Sequence, residues 1–178
     1  MSTTEIILIA IGGFLALVVL VGMLLRRKVL VTRAIKIKAA PEDVYPHVVD
    51  LKNFVEWSPW TERDPNAKFT FSEPSHGVGA SYEWAGDKKK IGTGSMEITS
   101  CEEFKKVTVN INFGRNRASE GYWTIEESEG MTRVTWGFVA DMGMNPISRY
   151  FGLLMDRFIG PDFEHGLHKL KAKLENPS

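Results

Sequence analysis

From Ile6 to Leu25 every residue is apolar or glycine, and Arg26, Arg27 and Lys28 follow at once. A helix of about 20 such residues, rising ~1.5 Å each, matches the ~30 Å hydrocarbon core of a bilayer. A secretory signal carries positive charge ahead of its apolar run and a small-residue cleavage site behind it. Met1 to Glu5 holds no Lys or Arg, and the run ends in Leu24-Leu25-Arg26-Arg27. A core helix of a soluble protein is rarely apolar on every face for this length. The segment therefore reads as an uncleaved single-pass anchor, with contact to the membrane through residues 6–25. The basic cluster after it places everything downstream on the cytoplasmic side by the positive-inside rule. Gly12, Gly13 and Gly22 form no GxxxG pair, and glycine is common in membrane helices, so they do not indicate dimerisation.

Two units follow from this: an anchor with its basic flank over 1–28, and one ordinary domain of about 150 residues over 29–178. Lys and Arg number 22, as do Asp and Glu, so no electrostatic argument for nucleic acid exists. One cysteine, Cys101, leaves no internal disulfide and no Cys-based zinc site; it reads as a small buried residue.

Val29 to Lys38 alternates as a strand, with Val29, Val31, Arg33, Ile35 and Ile37 on one face. Pro41-Glu42-Asp43 opens a helix, since Pro suits the first turn and the acids complement its positive end. Asp50 to Asn53 restarts a second short helix that ends near Trp57-Ser58-Pro59-Trp60. Strands are predicted over 68–73, 79–84, 91–102, 106–113, 118–126 and 132–141. Turns at Gly86-Asp87, Gly114-Arg115-Asn116 and Glu129-Gly130 make the sheet antiparallel. Apolar residues at helical spacing from Ile147 to Leu174 predict a helix over 145–175, kinked or divided at Gly160-Pro161. The order defines an α+β fold: a curved antiparallel sheet around a long C-terminal helix, preceded by one transmembrane helix.

The chain resembles the SRPBCC superfamily (START/Bet v 1-like, helix-grip fold), and within it the polyketide cyclase/dehydrase and lipid-transport group. The resemblance rests on Ala40-Pro41-Glu42-Asp43-Val44-Tyr45 and Phe54-Val55-Glu56-Trp57-Ser58-Pro59-Trp60. It continues through Gly77 to Trp84, Gly92-Thr93-Gly94-Ser95-Met96, and Ile159 to Leu167 followed by Lys169-Leu170-Lys171. It implies a space between sheet and long helix, with Trp57 and Trp60 at its mouth. Alternation then turns Tyr82, Trp84, Met96, Ile98, Val109, Ile111, Phe113, Trp123, Ile125, Val134, Trp136 and Phe138 inward. The long helix would add Phe151, Leu154, Met155 and Phe158. Rigid rings and adaptable Met suit a lipid or aromatic ligand, and the same residues suit a filled core.

Other motifs add little. Gly77-x-Gly79 and Gly92-x-Gly94 lack the strand-to-helix context of a phosphate loop and read as turn or bulge glycines. His165 and His168, with Asp162 and Glu164 nearby, read as the polar face of a helix end rather than a metal site. No Ser-His-Asp order, paired catalytic carboxylates or cofactor motif emerges, so no catalytic residue is assigned. The expected function is a membrane-anchored binder of a hydrophobic small molecule or lipid. A cyclase/dehydrase-type enzyme for an apolar substrate would need a carboxylate or His reaching into the pocket. A third alternative is an interaction or stress-response module with a vestigial pocket, marked by an exposed apolar patch outside it.

Overall fold

A computed structural model describes residues 2–114 and 118–176. Helix α1 (Thr3–Leu24) starts at a capping box. The Ser2 amide donates to Glu5 Oε2 at 2.7 Å and the Glu5 amide to Ser2 Oγ at 3.3 Å. Two orphan helix donors are thereby satisfied, so Glu5 acts as a cap. By length and composition α1 could cross a membrane. Gly22 is its one buried residue. No basic residue of its own completes its last turn. Arg149 does so instead, donating to the carbonyls of Met23 (2.6 Å) and Leu25 (3.2 Å).

Seven antiparallel strands follow: β1 (Lys28–Ile37), β2 (Lys68–Phe71), β3 (Ser81–Ala85), β4 (Thr93–Glu102), β5 (Lys106–Asn112), β6 (Ala118–Ser128) and β7 (Met131–Asp141). They form one open sheet in the order β1-β7-β6-β5-β4-β3-β2. The β6–β7 turn needs positive φ at both central residues, and Glu129 (56°) and Gly130 (72°) supply it between the Ser128–Met131 pair. Of the turn expected at Gly114-Arg115-Asn116, Arg115 and Asn116 lie outside the described residues. A register shift between Ile98 and Ser100 bends β4.

Between β1 and β2 the sequence suggested two helices, and the chain makes four: α2 (Pro41–Val44), α3 (Pro46–Val49), α4 (Leu51–Trp57) and α5 (Pro59–Arg63). Three of them open on proline, which has no N–H to give to the preceding turn. Helix α6 (Pro146–Glu175) runs unbroken, although Pro161 lies inside it. Gly160-Pro161 therefore does not divide it. Arg33 of β1 packs against Gly160, donating to Asp156 (Nη1 to Oδ1, 2.8 Å) and to Glu164 (Nε to Oε1, 2.5 Å). A Cβ at Gly160 would lie 2.1 Å from that guanidinium.

The core centres on Trp136 of β7. Its ring stacks on Phe163 of α6 at 4.1 Å between centroids and 4° between planes. Trp57 (5.2 Å) and Trp60 (5.4 Å) meet it edge-on from α4 and α5, as does Phe54 at 5.7 Å. Sheet and helices thus share one aromatic cluster. Gly166, one turn after Phe163, admits the Trp136 ring; a Cβ there would sit 2.8 Å from Trp136 Cζ3. We predict that Phe163→Ala costs about 3–5 kcal/mol, the usual range for a buried Phe truncated in a core. Urea unfolding in detergent measures this, and a loss below ~1 kcal/mol would contradict the central role of the stack.

Candidate functional site

Helix α6 rests mainly on β1, at one edge of the sheet, and leaves part of the concave face uncovered. A cavity of about 300 Å³ lies there, at the small end of the roughly 300–1,000 Å³ typical of ligand pockets. The sheet contributes Phe69, Tyr82, Trp84, Met96, Ile111 and Phe138, with Phe113 just beyond β5. Ser58, Trp60 and Arg63 come from the α5 segment, Lys90 and Ile91 from the β3–β4 turn. Phe158, Ile159, Asp162 and Phe163 come from α6.

Strand alternation puts Tyr82 and Trp84 on the same face, and the rings of Phe69, Tyr82, Trp84, Phe113 and Phe138 run on from one another at 5.7–6.4 Å. Trp84 lies over its cross-strand partner Gly94. A Cβ at Gly94 would fall 2.2 Å from Trp84 Cζ2 and 2.5 Å from the Asn112 carbonyl oxygen. This glycine is the space for the ring, which is why a glycine stands in mid-strand. The Trp84 indole donates to the Ile91 carbonyl at 3.2 Å and so ties the β3–β4 turn to the wall.

Polar groups are few and mostly engaged. Arg63 and Asp162 form an ion pair at 2.5 Å. Lys90 stands 3.5 Å from the buried carboxylate of Asp64. Asp64 also accepts from the Asp87 amide at 2.7 Å, and this hydrogen bond is the main reason its carboxyl is held below the usual range. Burial pushes the Tyr82 hydroxyl above its ordinary range, so it stays protonated. The carboxylate on the wall, Asp162, is neutralised by Arg63. The arrangement suits desolvating an apolar molecule and orienting one polar atom of it.

Of the residues expected from sequence, Trp60, Tyr82, Trp84, Met96, Phe113, Phe138 and Phe158 meet on this wall. Trp57, Trp123 and Trp136 do not; they are packed in the core against Phe54. The Trp57 indole donates to the His47 carbonyl at 2.9 Å, while that of Trp123 is buried without a partner among the described residues. Phe151 points outward from α6, 64% exposed, and Met155 is half-buried against the core. His165 bonds to Glu62 at 2.7 Å rather than joining His168. Cys101 is half-buried, and burial raises its thiol pKa, which leaves it a poor nucleophile. Positive φ at Gly77 (82°), Gly79 (87°) and Gly92 (61°) accounts for those glycines as turn residues.

Sequence reasoning missed Ser58, Arg63, Phe69, Lys90, Ile91, Ile159, Asp162 and Phe163 as wall residues. Helical spacing from Met155 would have found Ile159 and Phe163 at four-residue steps. The charged residues gave no signal, because a rim charge and a solvated surface charge look alike in sequence.

Residues 28–175 match the family described as polyketide cyclase / dehydrase and lipid transport, and the chain belongs to that family, of the SRPBCC type. It is a ligand-binding or cyclase-like fold. Among solved structures, the di-domain ARO/CYC StfQ from the steffimycin biosynthetic pathway is similar at TM-score 0.62 and 14% identity, over 83% of this chain and 51% of that one. The Aha1 dimer from Colwellia psychrerythraea is similar at TM-score 0.58 and 20% identity, over 83% of this chain and 97% of that one. DynU16, from the dynemicin biosynthetic locus, is similar at TM-score 0.57 and 15% identity, over 83% of this chain and 47% of that one. This chain thus spans about half the length of DynU16 and of StfQ. These likenesses establish the fold. No curated protein matches by sequence.

We predict that Gly94→Ala lowers stability by about 1–3 kcal/mol through overpacking against a ring and a backbone carbonyl. Thermal unfolding reports the loss. An unchanged melting temperature would mean that Trp84 does not lie over Gly94.

Proposed function

We propose that this protein is a membrane-anchored binder of a small hydrophobic molecule. The observation that supports it most is the cavity of about 300 Å³, walled by aromatic rings and methionine, whose aspartate is already paired. The apolar α1 supports the anchor: it exposes nearly its whole surface, and a soluble protein would leave so large an apolar patch in water only at great cost. Cavity size favours one acyl chain or a small ring system over a two-chain lipid. Tyr82 and Ser58 orient the ligand's polar end, and the rings exclude water from the rest.

Filling the cavity tests the binding reading. Met96→Trp keeps an apolar side chain on the wall and occupies the space. The neutral fluorescent probe N-phenyl-1-naphthylamine should bind the detergent-solubilised wild-type chain and bind the variant at least roughly tenfold more weakly, the equivalent of ~1.4 kcal/mol. Equal binding by both chains would remove the cavity as the site.

Arg26, Arg27 and Lys28 follow the span directly, which supports a cytoplasmic placement for the bulk of the chain. Protease added to the outer face of intact cells should leave residues 29–178 whole. Digestion there would reverse the orientation.

A further inference from the structure

The first half of α6 leaves one side uncovered. Ile147, Phe151, Leu154 and Phe158 are 60%, 64%, 44% and 63% exposed. At 100° per residue they fall within about 60° of one another and make a continuous apolar stripe. On the opposite side Gly152 touches Val29 and Met142, and Asp156 pairs with Arg33. The stripe is therefore a face the domain leaves unused.

This stretch of α6 is also fastened to α1. The Tyr150 hydroxyl donates to the Val18 carbonyl at 2.7 Å. A Cβ on Gly22 would come within 2.9 Å of both Pro146 and Tyr150. Val18 lies six residues before Leu24, roughly 9 Å along the helix axis. If α1 spans a bilayer, the Tyr150 hydroxyl reaches about that far inside the end of the span. An amphipathic helix in an interface buries its apolar face by roughly 5–10 Å, a matching depth.

We infer that the stripe from Ile147 to Phe158 inserts into the acyl region of the leaflet that α1 enters. The inference rests on the anchor reading above and adds where the cavity opens. Phe158 belongs both to the stripe and to the cavity wall, and Phe113, half-exposed, stands on the same wall. The mouth between them then faces hydrocarbon rather than water. An apolar ligand passes from bilayer to cavity without crossing the aqueous phase.

Site-directed fluorescence on the full chain tests this. In a Cys101→Ser background, Leu154→Cys is labelled with nitrobenzoxadiazole and reconstituted in vesicles of phosphatidylcholine and phosphatidylglycerol. Leu20→Cys and Lys88→Cys serve as the span and aqueous references, and Phe151→Cys repeats the measurement at a second stripe position. Labels at 154 and 151 should show blue-shifted emission and lose intensity to brominated phosphatidylcholine as the label at 20 does. The label at 88 should respond to iodide alone. If 154 and 151 behave like 88 while 20 behaves as a span, the interfacial contact is wrong and the anchor stands. If 20 is quenched by iodide, both fall. Shielding of 154 and 151 from both quenchers would mean that a second copy covers the stripe, and would overturn the proposal.

Discussion

The stack of Trp136 on Phe163 is the contact on which the rest of the architecture depends. It joins β7, next to the edge strand β1, to the C-terminal helix across 4.1 Å, and Trp57, Trp60 and Phe54 close around it from the short helices. Large rings bury much apolar area with few rotatable bonds, so a cluster of them stabilises at low entropic cost. The cluster also fixes the height of α6 above the sheet. Without that spacing the neighbouring cavity would have no defined depth.

A second restraint sets where α6 lies. Arg33 reaches from β1 past Gly160 to Asp156 and Glu164, and this holds the helix at the sheet edge. The ion pairs are partly exposed, so screening keeps their own energetic contribution small. Their effect is positional. With the helix held over β1, the wall formed by β3, β4 and β5 lacks a full cover, and the space remains open. Asp141 acts in the same way at the start of β1. It accepts from Arg27 at 2.8 Å, and that partner lowers its pKa to about 2, which keeps the carboxylate charged at the α1–β1 junction.

Most of the fold was legible in the sequence because period-2 and period-3.6 patterns report directly on strands and helices. Strand ends shifted by a residue or two, and proline split two expected helices into four. The site was legible only in part. Alternation shows that Tyr82, Trp84, Trp123 and Trp136 all face inward, since Cβ direction along a strand has a period of two. It does not show what lies opposite. Trp123 and Trp136 meet Phe54 and become core, whereas Tyr82 and Trp84 also border the open space. Arg63 and Asp162 are far apart in sequence and pair only after α5 and α6 have packed.

By itself the sequence determined the apolar helix, the strand order along the chain, the long amphipathic helix and the family to which they belong. These follow from local periodicity and from residue types that act within a few positions of themselves. Tertiary structure alone decided which inward rings fill the core and which border the cavity. It also decided that Arg149 and Tyr150 fasten α6 to α1, through hydrogen bonds spanning more than a hundred residues. Such contacts depend on how helices settle on a twisted sheet. That placement is a sum of many side-chain volumes, and no single stretch of sequence encodes it.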